Sequence, residues 1–301
     1  MTTEYYSNGK LLISGEYVIL DGALGWAIPT KYGQYLRVEK TESDKLSWKS
    51  LDHLGQLWFE GTYRLPTFEP ISFSDQGISM ALQTIFSSAR GLNPSFLKRD
   101  KGYEVHTELT FPKDWGLGSS STLINNIAQW VGIDPYELLK NTFGGSGYDI
   151  ACAKHNTPLL YRIENGVPHT NELELRLPFQ DSLYFVYLNQ KKNSREAISA
   201  YRKLKIETRL IEQITQITRK LVATLNLKKF EELLLRHELL LSEALKVPTV
   251  QSELFEDYFG VVKSLGAWGG DFVLATGNQD SPGYFKEKGY DVVIPFSEML
   301  L

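Results

Sequence analysis

The run Gly116-Leu117-Gly118-Ser119-Ser120-Ser121-Thr122 gathers the residue types that hold a phosphate. Glycine lets backbone amides come close to an oxyanion. A helix opening directly behind such a loop adds N–H groups without intrahelical partners and the positive end of its dipole. Serine hydroxyls add donors, and Ser120, by its place in the loop, is the candidate ligand for Mg²⁺. The loop is not a Walker motif, because no Gly-Lys-Ser/Thr follows, and the Rossmann spacing of glycines also fails. A serine-capped helix start after a turn has the same composition, so the loop alone leaves both readings open. Lys191-Lys192-Asn193-Ser194-Arg195 is a second candidate anion site at the start of a helix, with Lys192, Ser194 and Arg195 as substrate-binding residues. A solvated basic turn is its alternative. His53, His106, His155, His169 and His237 show no metal-ligand spacing.

The rest of the composition narrows the classes. With 301 residues, 42% apolar and 23% charged, the chain can bury a sizeable core in one large or two medium domains. A net charge of -4 offers no basic stripe, so nucleic acid is not an expected partner; a small anionic molecule is. Cys152 is the single cysteine, which excludes an internal disulfide and fits a reducing cytoplasm, the expected location. Met1 to Lys10 lacks the apolar core of a signal peptide, and no run reaches the length of a membrane span. Oligomeric state is not legible; a homodimer is among the states left open.

The elements that would position the loop follow from pattern. Leu11–Ile13, Tyr17–Leu20, Tyr35–Glu39, Leu46–Lys49, Leu57–Phe59 and Tyr103–Leu109 read as strands, with Ile78–Ala89 and Leu123–Val131 as helices. Beyond a strand at Leu183–Leu188, helical patterns cover Arg195 to Leu225, Lys229 to Lys246 and Val250 to Leu265. Strands at Phe272–Thr276 and Asp291–Pro295 close the chain. This order predicts two α+β domains, 1–170 and 171–301, sharing a cleft.

Asn8-Gly9-Lys10-Leu11-Leu12-Ile13-Ser14-Gly15-Glu16-Tyr17 resembles the first motif of the GHMP kinases, and Gly116–Ser121 looks like their ATP-phosphate loop. Lys263-Ser264-Leu265-Gly266-Ala267-Trp268-Gly269-Gly270-Asp271 is similar to their third motif, so the motifs stand in family order along nearly the whole chain. Gly15-Glu16-Tyr17 and Gly269-Gly270-Asp271 resemble phosphomevalonate kinases in particular. Ser146-Gly147-Tyr148-Asp149 matches the segment that carries the catalytic aspartate in the mevalonate branch. Gly147–Ala151 also spells the pentapeptide that names a bacterial branch, the GYDIA group.

The resemblance implies a two-domain GHMP kinase fold. Its N-terminal domain would be like the second domain of a small-subunit ribosomal protein, its C-terminal domain ferredoxin-like, with the active site in the cleft. It implies ATP and Mg²⁺, and a phosphoryl group passed to mevalonate, phosphomevalonate or a related small acid in isoprenoid-precursor synthesis. Asp149 would accept the acceptor's proton and Lys10 would offset charge on the transferred group. Glu16, Tyr17, Gly269, Gly270 and Asp271 join Lys192, Ser194 and Arg195 on the substrate side. For Glu16 a structural ion pair is the equal alternative.

Departures from the family pattern are specific. Asn8 stands where proline is usual, and Trp268 where the third motif has glycine. Between Ser121 and Asp149 the chain is short, and Glu137 is the only acid in Pro135–Lys140, where the family's second helix supplies a Mg²⁺-binding glutamate. Two further functions compete on the same fold: an ATP-dependent mevalonate diphosphate decarboxylase, and a nucleotide-binding protein without turnover.

Overall fold

The computed structural model describes residues 2–98, 101–191, 194–266, 268 and 270–301. In chain order it begins with strands β1 (Thr2–Ser14), β2 (Gly25–Thr41), β3 (Lys45–Leu51), β4 (Leu57–Arg64) and β5 (Pro70–Phe73). Helix α1 (Gln76–Leu92), strand β6 (Gly102–Leu109) and helices α2 (Ser119–Val131), α3 (Pro135–Lys140) and α4 (Tyr148–Lys154) follow. Then come β7 (Leu159–Glu164), β8 (Val167–Glu172), β9 (Leu183–Tyr187), α5 (Ser194–Tyr201), α6 (Thr208–Ala223), α7 (Leu227–Leu245) and α8 (Val250–Leu254). The chain closes with β10 (Val262–Ser264), β11 (Phe272–Thr276), α9 (Ser281–Glu287), β12 (Val293–Pro295) and α10 (Phe296–Met299).

The fold is α+β, and the chain forms two compact units that interleave along the sequence. One comprises Met1–Gly9, Tyr32–Lys113 and Leu117–Lys154; the other comprises Lys10–Lys31, Asp114–Gly116 and His155–Leu301. The sequence predicts a single crossing near residue 170 instead. The second unit draws in the earlier segments because Gly25–Ala27 of β2 pairs with Leu159–Tyr161 of β7.

In the first unit the strand order is β5-β4-β3-β6-β2. β3 and β6 run parallel, and β2 pairs antiparallel with β6 from Gln34 to Thr41. The sheet's core side carries Trp48, Phe59, Tyr63 and Val105, closed over by Leu82, Ile85, Phe86 and Ala89 of α1 and by Ile124, Ile127 and Val131 of α2. The α1 spacing of three, one and three residues keeps that stripe on one helix face. Each fully buried Leu, Ile or Phe contributes about 1.5–3 kcal/mol. Asp75 caps α1 by accepting from Ile78 N–H at 2.9 Å.

The second unit carries β12-β9-β11-β10, antiparallel throughout. Read along the chain, β9, helices, β10, β11, helix α9, β12 is the β-α-β-β-α-β arrangement of ferredoxin-like folds.

Three predicted elements differ. Tyr17–Leu20 is not a strand: Val18–Asp21 is a short 3₁₀ turn, because Gly15 (φ +96°) turns the chain and its carbonyl accepts from Ile19 N–H. The helix expected from Arg195 to Leu225 breaks after Tyr201, where Leu204 and Ile206 pack beside Val18, Tyr201 and Leu210 instead of continuing the spiral. The third predicted helix stops at Leu254, and Val262–Ser264 joins the sheet. Between them Gly260 lies so close to the Thr276 carbonyl oxygen that a Cβ would overlap it.

Candidate active site

The candidate phosphate loop opens α2 through two left-handed glycines, Gly116 (φ +66°) and Gly118 (φ +92°). Gly118 is the helix N-cap and supplies no side-chain cap, so the first-turn amides are not claimed by a capping group. Ser120 is exposed and Ser119 partly buried. Ser121 is buried, and its hydroxyl donates to Gly118 O at 2.8 Å, so that side chain braces the loop instead of facing a ligand. Leu117 is a buried anchor.

Helix α2 is fixed by buried polar contacts that the apolar pattern alone does not reveal. Thr122 Oγ1 donates to Gln34 Oε1 at 2.7 Å, and Asn126 Nδ2 donates to Gln34 O at 2.8 Å. Asn125 Nδ2 donates to Ser7 Oγ at 2.8 Å, whose hydroxyl donates to Asn126 Oδ1 at 2.7 Å. Such a satisfied network allows one register of α2 against β1 and β2. The legible signal is two asparagines and a threonine on the buried side of an otherwise apolar helix.

Asp149 is the second residue of α4, which follows three glycines with positive φ: Gly144, Gly145 and Gly147. It is partly buried, and its Oδ1 accepts from Ile150 N–H at 3.0 Å. That bond and a role as proton acceptor are compatible, since each carboxylate oxygen has more than one lone pair.

In the second unit, Lys10 Nζ donates to Gly116 O at 2.8 Å. A Cβ on Gly116 would collide with the Asp271 carboxylate, so the first-motif lysine, the first loop glycine and the third-motif aspartate meet at one peptide. Asp271 itself has positive φ (+43°) and is held by Asp271 N–H to Gln190 O (3.0 Å) and Leu188 N–H to Asp271 O (2.8 Å). Asp114 adds a contact that no motif signals: Tyr187 donates its hydroxyl to Asp114 Oδ2 at 3.0 Å. Burial, that bond and the charges of Asp114 and Asp271 hold the phenol well above its ordinary range.

Tyr17 occupies a positive-φ position (+60°), and its hydroxyl accepts from Trp268 N–H at 2.9 Å. Its ring stacks on Tyr201 at 5.4 Å, and Tyr201 donates to Asp21. The Trp268 indole packs against the same apolar cluster as Tyr17 and donates to Pro248 O at 2.9 Å.

Glu16 takes the structural reading and not the substrate-facing one. It is 1% exposed and ion-paired with Lys263, itself fully buried. Burial raises its pKa while Lys263 pulls it back. Gly270 is buried; Lys192 and Gly269 lie outside the described residues, as do the side chains of Ser194 and Arg195, of which the structure gives only their place at the start of α5. Glu137 is exposed on α3. Among the described residues no group of three or more His, Cys, Asp or Glu could hold a metal, and no helix is long and apolar enough to cross a membrane.

No protein-family model matches the sequence, and no curated protein matches it. Solved structures do match its fold. The mevalonate kinase of Methanococcus jannaschii is similar with a TM-score of 0.72 at 15% identity, over 98% of this chain and 97% of that one. Streptococcus pneumoniae phosphomevalonate kinase, solved with phosphomevalonate and AMPPNP, gives 0.68 at 17% identity over 95% of each chain. Lactococcus lactis galactokinase, solved with galactose, gives 0.67 at 15% over 95% of this chain and 88% of that one. This chain has the GHMP kinase fold.

Proposed function

We propose that the protein is an ATP-dependent small-molecule kinase that phosphorylates a small acid, with mevalonate and phosphomevalonate as the expected acceptors and the cytoplasm as its place of work. One observation carries the reading. The Gly116–Gly118 turn opens a helix whose N-cap lacks a side-chain cap, and Lys10 and Asp271 converge on Gly116. The likeness in fold to mevalonate and phosphomevalonate kinases supports it.

Phosphoryl transfer asks a protein mainly for positioning and charge stabilisation. In this reading the loop amides and the Ser119 hydroxyl bind the nucleotide phosphates, and Asp149 accepts the proton of the acceptor hydroxyl. Lys10 offsets charge on the transferred group. Mg²⁺ would be held by the exposed Ser120 hydroxyl, nucleotide phosphates and water, which suits an ion that keeps several waters, and would neutralise phosphate charge there. The acceptor's own anionic group would be held on the Lys192, Ser194 and Arg195 side.

The test is ADP release with ATP and Mg²⁺ across mevalonate, phosphomevalonate, related small acids and galactose, with Asp149→Asn as control. Turnover on one of the acids that falls about 10²–10⁴-fold in the variant supports the reading. No turnover on any acid, or turnover undiminished in the variant, overturns it.

A further inference from the structure

Helices α6 and α7 are joined by the short turn 224–226 and pack along each other, with Leu210 and Ile214 beside Leu241, so they run antiparallel. Polar contacts hold their inner sides in place. Thr215 Oγ1 accepts from Leu24 N–H, Thr218 Oγ1 donates to Leu24 O, and His237 Nε2 accepts from Gly15 N–H, each at 3.0 Å. Both helices are therefore fixed before anything binds on the other side of the pair.

That other side holds an open groove of about 830 Å³, a size suited to a small molecule. One stripe of each helix lines it. Arg209, Gln213, Gln216 and Lys220 come from α6 at spacings of three and four, and Lys229, Leu233 and Arg236 come from α7 at the same spacings. Ile217 and Leu233, both buried, form the apolar floor. Because the helices are antiparallel, Lys220 and Lys229 stand at the end nearest the connecting turn, with Arg209 and Arg236 farther along. Lys229 and Arg236 are two turns apart, about 10 Å along the helix axis. Gln213 and Gln216 lie between Arg209 and Lys220 on α6.

Charge in the groove is out of keeping with the chain. Four cations line it against two carboxylates, Glu212 and Glu232, whereas the whole protein carries a net charge of -4. Cations on exposed helix faces are stabilised by acids three or four residues away. Lys229 follows that rule, pairing with Glu232 at 2.6 Å. Arg209, Lys220 and Arg236 have no side-chain hydrogen bond or ion pair among the described residues. Lys220 has no acid within one turn of it on α6. Unpaired cations toward both ends of a concave space with an apolar floor complement a molecule that carries an anionic group at each end of a carbon frame.

We propose that the α6–α7 groove binds a small bisphosphate. Arg209 and Arg236 would grip one phosphate through their planar forks, and Lys220 and Lys229 would hold the other as point charges. The amides of Gln213 and Gln216 would meet hydroxyl groups between them, above the floor of Ile217 and Leu233. None of these residues belongs to the candidate active site, so the assignment does not depend on the kinase reading.

The experiment titrates the full-length protein by calorimetry with fructose 1,6-bisphosphate, whose phosphates stand at opposite ends of a six-carbon frame. Inorganic phosphate is the single-anion control, and a peptide of glutamates is the extended one. The variants are Arg236→Gln and Lys220→Gln, with Arg219→Gln as the control: Arg219 is exposed, adjacent in sequence to Lys220 and outside the groove. All three positions are exposed, and unfolding midpoints check that the variants fold. The bisphosphate should bind at least about 10-fold more tightly than phosphate, and each groove variant should weaken it by about 10-fold or more. Arg219→Gln should change it by less than about 2-fold, the scale of a screened surface charge. No binding of the bisphosphate, or binding no tighter than that of phosphate, overturns the proposal. Affinity unchanged in both groove variants places the bisphosphate elsewhere and also overturns it, as does an equal loss in Arg219→Gln, which is the mark of diffuse charge. Tighter binding of the glutamate peptide with the same variant losses makes the groove a protein-docking surface and overturns the small-molecule assignment.

Discussion

The Lys10 ammonium is hydrogen-bonded to the carbonyl oxygen of Gly116 at 2.8 Å, which ties a strand near the N-terminus to the first peptide of the candidate phosphate loop. The bond uses the carbonyl, so the amide side of the loop stays available to an oxyanion. Lys10→Met should lower ADP release by about 10²-fold or more, as loss of a charge-stabilising donor does. Loss of the bond to Gly116 O at this partly buried site should cost about 1 kcal/mol of unfolding free energy. Steady-state kinetics and urea denaturation together check this.

Gly116→Ala should be destabilising by about 1–3 kcal/mol, since it combines a left-handed backbone with a collision against Asp271. Gly144 also has positive φ (+64°), but nothing lies within 4 Å of where its Cβ would stand. Gly144→Ala should therefore cost only the backbone share, about 1 kcal/mol. Adding Asp271→Ala to Gly116→Ala should recover part of the loss, and a double-mutant cycle in urea measures that coupling.

Tyr17→Phe keeps the ring on Tyr201 and removes the acceptor for Trp268 N–H. The expected cost is about 1 kcal/mol, the low end for an amide left without its partner, because the site is only partly buried. Urea denaturation of the variant against the wild type checks this.

Lys263→Met should cost about 3–5 kcal/mol, because it leaves the Glu16 carboxylate buried without its cation. Combining it with Glu16→Gln should restore much of that stability. Equal losses in the single and double variants would show that Lys263 contributes by packing instead.

His237 sets an acid-side limit. Its folded pKa is depressed, so as pH falls the unfolded chain takes the proton first and stability drops below about pH 6.5. His237→Gln should flatten that decline between about pH 6.5 and pH 5, visible as converging unfolding midpoints.

Much of the fold was legible because its signals are local. The alternation of Tyr103–Leu109 and the apolar spacing of Ile78–Ala89 correspond to β6 and α1 within a few residues. The hairpin of β7 and β8 has a turn signal in Asn165-Gly166, both with positive φ at the tip, but only a domain junction was expected there. The errors share a cause: tertiary partners overrode local pattern. Leu204 and Ile206 left a helical phase for the Val18 cluster, and Val262–Ser264 left one for β11. At the site, the loop glycines and Lys10 were found from residue type and order. Glu16 was not separable from a substrate ligand, because its partner Lys263 is distant in sequence. His237 and Glu238 did carry a signal, standing on the buried stripe of α7 with Leu233, Leu234 and Leu241.

The pairing of Gly25–Ala27 with Leu159–Tyr161 also sets an order of events at the ribosome. Every segment of the first unit has been made once Lys154 emerges, whereas the stretch Lys10–Lys31 belongs with chain that comes later. At ordinary synthesis rates that stretch waits on the order of ten seconds for β7, with an edge open to other strands. Substitutions that slow translation between β2 and β7 should therefore lower soluble yield without altering the finished protein's stability.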